Sequence, residues 1–98
     1  MALLDDAQIR EGLDRLDGWS RDGDIIRRDY EFDSFASAMA FVNEVARLAE
    51  DADHHPDIDI RFNRVRLALS THSAGGLTRR DFDLAGRIDD HRAGSAGA

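Results

Sequence analysis

The sequence predicts an α+β domain: a four-stranded antiparallel sheet with three helices on one face, in the order α-β-β-α-β-β-α. Three observations carry this reading. Residues 57–62 and 65–70 each alternate polar and apolar without error, the period of a half-buried strand, and two residues separate them. A strongly apolar helical pattern fills the stretch from residue 35 to about 52. Two β-pairs separated by a helix give an antiparallel sheet that packs helices on one face and leaves the other to charge or a partner.

The elements follow in order. Ile9, Leu13 and Leu16 recur at helical spacing over 5–16, with Asp5 and Asp6 near the positive end. Gly12 weakens that helix and Asp17-Gly18 ends it. Trp19 is expected at the core edge, and Arg21-Asp-Gly-Asp24 is a turn signal. Ile25 to Phe32 reads as a strand, imperfectly, because Arg28 shares a face with Ile26, Tyr30 and Phe32. Asp33 or Ser34 then caps the long helix. Phe41 and Leu48 widen its apolar stripe beyond one face, so it is either deeply covered or used between subunits. Pro56 forces it to end earlier and disfavours the helical conformation at His55. Asn63-Arg64 is the expected hairpin turn, since Asn tolerates a positive φ. Thr78-x-x-Asp81 matches a capping box, with Leu77 and Phe82 at the staple positions, for a helix from about Arg79 to Arg92. One domain, 1–92, and a disordered tail, 93–98, are therefore expected.

Composition excludes several function classes. The chain has 98 residues, 42% of them apolar and 34% charged, a globular balance. Its net charge of −7 gives no global case for nucleic acid. No apolar run approaches the roughly 20 residues of a membrane span. Without a charged-then-apolar leader, cytoplasmic residence is expected. With no cysteine, thiol catalysis, disulfides and cysteine-type zinc sites are excluded. All 13 basic residues are arginine, so a lysine Schiff base is excluded too.

The residues left for chemistry are histidines. His54, His55 and His72 are three of the chain's 4, and imidazole is the side chain that gives and takes protons near neutral pH. The hairpin register expected from the turn sets Pro56 and Asp57 opposite Ser70 and Thr71, which brings all three to one end of one hairpin. Glu50, four residues before His54, either orients an imidazole or sits on the wet face of its helix. Asp81 has a structural role in the capping box. His91 is expected to serve its own helix end. Gly75-Gly76 before the last helix is a weak anion signal. Arg61, Arg64 and Arg66 are expected to form ion pairs. Proton transfer and a zinc site, three histidines with a carboxylate, both remain open on spacing, although adjacent histidines chelate poorly.

Glu50-x-x-x-His54-His55-Pro56, Asn63-x-Val65, Leu69-Ser70-Thr71-His72 and Gly76-Leu77-Thr78-x-x-Asp81-x-x-Leu84-Ala85 closely resemble the pterin-4a-carbinolamine dehydratase family, and the likeness extends upstream through Gly18-Trp19. The resemblance implies dehydration of 4a-hydroxytetrahydropterin to quinonoid dihydropterin and water. That reaction recycles the tetrahydropterin cofactor of aromatic amino acid hydroxylases. It implies no metal and no cofactor, a pterin substrate, and assembly as a homodimer or homotetramer. It implies catalytic roles for His54, His55 and His72: His55 and His72 as acids near the 4a-hydroxyl, His54 as a base or an orienter. Glu50 and Asp81 become supporting residues. The pterin would be gripped by Asp53-His54-His55 and Ser70-Thr71-His72-Ser73, largely through backbone groups. Ile58, Phe62 and Ser73 depart from the family's aromatic, tyrosine and acidic residues at those places. The competing readings are a non-catalytic assembly or transcriptional cofactor on the same scaffold, and a small metalloprotein.

Overall fold

The computed structural model describes residues 2–96, with side chains described through His91. The order is α1 (Asp6–Asp14), β1 (Ser20–Asp22), β2 (Ile25–Glu31), α2 (Phe35–Ala52), β3 (Asp57–Arg61), β4 (Arg64–Leu69), a 3₁₀ turn (His72–Ala74) and α3 (Arg79–Ala96). The four strands form one antiparallel sheet in the order β1-β2-β4-β3. The expected α+β architecture is the observed one. No helix of the described residues is long and apolar enough to cross a membrane.

Each helix starts where its cap dictates. Asp5 accepts from the Gln8 N–H while the Gln8 side chain accepts from the Asp5 N–H, a closed capping box for α1. The Ser34 side chain caps α2. Gly12 is explained by packing: a Cβ there would lie 2.6 Å from the Phe82 ring, so the glycine lets α1 approach α3. The expected disordered tail, 93–98, falls partly on the last turn of α3 and partly outside the described residues. His91 is not in that last turn. Its Nε2 stands 3.4 Å from Glu44 on α2, a contact between two helices.

The sheet buries Ile26, Tyr30, Val65, Leu67 and Leu69 against Ala38, Phe41, Val45, Leu84 and Ile88 of the helices. Arg28 interrupts the apolar face of β2 because it has partners there. Its guanidinium lies 4.7 Å above the Tyr30 ring and 3.1 Å from Asp89, which also accepts from the Trp19 indole and the Tyr30 hydroxyl. The opposite face is covered by charge. Arg66 pairs with Asp29 at 2.7 Å, Arg64 with Glu31 at 3.2 Å and Arg61 with Asp59 at 3.2 Å. Two expectations need correction. The first pair's outer strand, β1, is three residues that no alternation announces. The hairpin turn is Phe62-Asn63, not Asn63-Arg64, with Phe62 at φ 54°. Asn63 is pulled into place by a tertiary contact: its side chain donates to the Phe32 carbonyl at 2.8 Å and its own carbonyl accepts from the Phe32 N–H.

Candidate active site

The site begins at the end of α2. Asp53 takes the left-handed conformation, φ 49° and ψ 45°, which stops the helix. Its N–H donates to the Glu50 carbonyl at 3.2 Å, and the His54 N–H donates to the Ala49 carbonyl at 3.0 Å. This is a Schellman closure, with aspartate where glycine is common. Pro56 then feeds the chain into β3.

The turn shift changes the register. Asp57 pairs with Ala68 and Ile58 with Leu67. Continued past the strand ends, this sets His55 opposite Ser70 and His54 opposite Thr71, where Pro56 and Asp57 had been expected. The three histidines still lie at one end of the hairpin, and the slip carries the two adjacent ones two residues further along β4.

His54 is 7% exposed, and its Nε2 lies 2.6 Å from Oδ1 of Asp81, which is fully buried at 0%. The other oxygen of Asp81, Oδ2, accepts from the Thr71 hydroxyl at 2.9 Å and from the Thr78 N–H at 2.9 Å. Since Thr71 donates to Asp81, the Thr78 hydroxyl donates to Thr71 at 2.8 Å, and Thr78 accepts in turn from the Arg80 N–H. No fully buried side-chain nitrogen or oxygen among the described residues lacks a partner. The carboxylate thus closes the capping box with one oxygen and holds the imidazole with the other. Its acceptor character calls for a proton on Nε2 of His54, and in the neutral ring Nδ1 is then the acceptor nitrogen.

His55 is exposed, and its Nε2 lies 2.5 Å from Oε2 of Glu50, which is also exposed. Glu50 therefore orients an imidazole from the wet face of its helix. His72 opens the 3₁₀ turn, exposed, directly after buried Thr71. The structure thus ties His54 to Asp81 and Thr71, and His55 to Glu50, while His72 joins the group through its neighbour Thr71. Ser70 is half-buried at the strand end and Ser73 exposed in the turn. The backbone of Asp53 is already engaged: its carbonyl accepts from the Arg80 guanidinium at 2.5 Å. Only its side chain is free. Arg80 was not among the residues the sequence singled out, because its contact spans 27 residues and no motif reports it.

Two of the three departures from the expected pattern fall along the hairpin: Ile58 lies on β3, and Phe62 stands in the turn at the hairpin tip, the opposite end from the histidines. No three metal-ligating side chains are grouped among the described residues. Two grooves, of about 900 Å³ between α1 and α3 and about 570 Å³ over the open face of the sheet, hold none of the histidines. Both are lined by arginines and carboxylates of opposing charge, and neither concentrates titratable chemistry.

A small α+β protein with three imidazoles and two carboxylates at one hairpin end is a scaffold for acid–base chemistry. Residues 2–91 match the family model described as pterin 4 alpha carbinolamine dehydratase. A Roseiflexus castenholzii protein, provisionally named a pterin-4-alpha-carbinolamine dehydratase, is 61% identical over 89 residues, covering 91% of this chain and 96% of its own. An Acidobacterium capsulatum protein with the same provisional name is 60% identical over 89 residues, covering 91% and 97%. A Brucella melitensis crystal structure, described as a transcriptional coactivator/pterin dehydratase, matches with a TM-score of 0.87 at 34% identity, covering 91% and 97%. A pterin dehydratase-like protein described as a RuBisCO assembly factor in the alpha-carboxysome matches with a TM-score of 0.60 at 23% identity over 74% and 83%, and so shares the fold. The chain belongs to the pterin 4 alpha carbinolamine dehydratase family.

Proposed function

We propose that this chain dehydrates 4a-hydroxytetrahydropterin to quinonoid dihydropterin and water. One observation carries the reading: a buried carboxylate fixes the ring of His54 at 2.6 Å, at the hairpin end it shares with His55 and His72. In the reaction the C4a–O bond breaks and the oxygen leaves as water with a delivered proton. N5 loses its proton as the N5–C4a double bond forms, so protons balance. Groups that titrate near neutrality and are held in place supply about 10²–10⁴-fold for such steps. His55, oriented by Glu50, and His72 are the acids near the departing hydroxyl. His54 is the base, because Asp81 occupies Nε2 and leaves Nδ1 to accept. Asp53, through its side chain, and Ser70 to Ser73 border the pterin. No metal or cofactor enters this chemistry, and the reading keeps the cytoplasmic residence expected from the sequence.

The partner in this reading is a second copy. β3 is an edge strand: its Ile58 and Ile60 and the adjoining turn residue Phe62 are 37%, 38% and 70% exposed. An antiparallel pair of β3 strands with its two-fold at Ile60 sets Ile58 against Phe62 on one face. On the other face it sets Asp59 against Arg61. The half-exposed Phe35 of α2 offers a further apolar contact for a tetramer.

The test is stopped-flow measurement of carbinolamine dehydration by the purified chain. Acceleration above the spontaneous reaction is expected, with most of it lost in His72→Ala. A wild-type chain that adds nothing to the spontaneous rate refutes the enzyme and leaves the non-catalytic scaffold.

A further inference from the structure

We propose that Arg80 is a positioning residue for this reaction: it fixes the peptide that aims the two adjacent histidines. This rests on the dehydratase reading above. Arg80 lies in the first turn of α3, where a positive charge opposes the helix dipole. It forms no ion pair among the described residues. Its charge is instead delivered to the opposite pole of another helix. Nη2 donates to the Ala52 carbonyl at 3.3 Å and the Asp53 carbonyl at 2.5 Å, at the negative end of α2.

The Asp53 carbonyl belongs to the peptide unit that carries the His54 N–H. That N–H is itself held by the Ala49 carbonyl at 3.0 Å. One peptide plane is therefore fixed at both its oxygen and its nitrogen. The next residue of α3, Asp81, holds the ring of the same histidine. Successive residues of one helix thus fix His54 twice, the backbone from Arg80 and the imidazole from Asp81. His55 follows from the same plane, so an error there moves both rings. Asp53 is in the left-handed conformation, which costs a non-glycine residue free energy although aspartate tolerates it better than most. The Arg80 bond to the Asp53 carbonyl holds the chain in that conformation from its far side.

The test uses Arg80→Ala, Arg80→Gln and Arg80→Lys in the full chain. A misplacement of about 1 Å costs on the order of 10²-fold, so Ala and Gln are expected to lower kcat by about 10- to 100-fold, with KM changed less. Lysine offers a point charge in place of a planar fork and should fall between. Millimolar guanidinium ion should restore part of the Arg80→Ala rate and none of the rate lost in Asp81→Asn. Independently of any substrate, ¹H–¹⁵N correlation of the imidazoles should show His54 in one fixed tautomer in the wild type. It should show shifted or averaged His54 and His55 rings in Arg80→Ala. Folded variants with wild-type kcat and unchanged ring signals overturn the proposal. So does a loss of stability alone with both unchanged, which would make Arg80 only a helix cap. If the wild-type chain is inactive, the dehydratase reading fails. The ring signals then decide: a change keeps the clamp and no change removes it.

Discussion

Replacing Asp81 by Asn separates the two functions that one carboxylate performs. The side chain is fully buried, and Asn keeps its shape. In the native chain Oδ2 accepts twice, from Thr71 and Thr78, and Oδ1 accepts from His54. Asn has one acceptor oxygen and one donor nitrogen. If the oxygen stays with Thr71 and Thr78, the cap survives and an NH₂ faces Nε2 of His54. That nitrogen must then accept, and the ring proton moves to Nδ1. The tautomer is inverted, and the nitrogen assigned to take a proton no longer can. Hydrogen bonds to a charged acceptor are replaced by neutral ones, a cost of about 2 kcal/mol. In a domain of this size that lowers Tm by about 10 °C. The rate should fall by roughly 10²–10⁴-fold, the contribution of one general base. Thermal unfolding, stopped-flow dehydration and imidazole ¹⁵N shifts measure the three quantities separately. A folded Asp81→Asn protein with the native His54 tautomer and a native rate would refute the reasoning.

Four further outcomes are expected. Gly12→Ala gains about 1 kcal/mol of helix propensity. It also drives a Cβ to 2.6 Å from the Phe82 ring, and overpacking of this kind costs about 1–3 kcal/mol, so thermal unfolding should shift downward. Asp53→Gly relieves a left-handed aspartate and should leave stability unchanged or raise it by up to about 1 kcal/mol. A loss of activity in that variant then reports the carboxylate, and native activity removes Asp53 from the site. Ile60→Glu sets like charges opposite each other in the two-fold pairing, and light scattering should show half the wild-type mass; an unchanged mass rules that interface out. The Arg66 hydrogen bond, helped by its charge, holds the Asp29 carboxyl below its ordinary value of 3.8. A lowered folded value means the contribution is present above the ordinary value and lost as pH falls through the folded one. Both partners are largely exposed, so solvent screening keeps the contribution small. Denaturant titrations of wild type and Asp29→Asn should therefore differ above about pH 4 and converge in stronger acid.

What the sequence made legible was what adjacent residues decide. Alternation set β3 and β4, Ser34 and Pro56 bounded the long helix, and Thr78-x-x-Asp81 announced the start of α3. Contacts between distant residues were not legible. The hairpin turned one residue early because Asn63 is bound to Phe32, 31 residues away, which outweighed the preference for Asn at positive φ and left Phe62 there. β1 has no pattern of its own and exists because β2 offers it a ladder. Gly12 weakens α1 by propensity and is required by the Phe82 ring packed against it. Arg28 breaks the alternation of β2; it lies over the Tyr30 ring, and its ion-pair partner Asp89 is too far along the chain for a local pattern to announce it. In the site, the histidines and Glu50 were visible as residue types, while Arg80 was not.

Asp81 shows why a structural reading and a functional one need not compete. On sequence the capping box was a sufficient reason for an acid at that position. The geometry makes the cap the source of the other function. An imidazole is oriented only as well as the group that holds it, and an unanchored carboxylate would surrender that orientation to rotation about its own side chain. Here Thr78 and Thr71 fix Oδ2, and fixing one oxygen of a planar group fixes the other. Oδ1 is therefore aimed at His54 by the start of α3, and Thr71 carries the same anchor to the residue before His72. The cap aligns a helix, a strand end and two of the three histidines through one buried carboxylate. In the proposed dehydratase, a cap residue whose second acceptor atom reaches outside its helix is a candidate for positioning the base, and Asp81 reaches His54 at 2.6 Å.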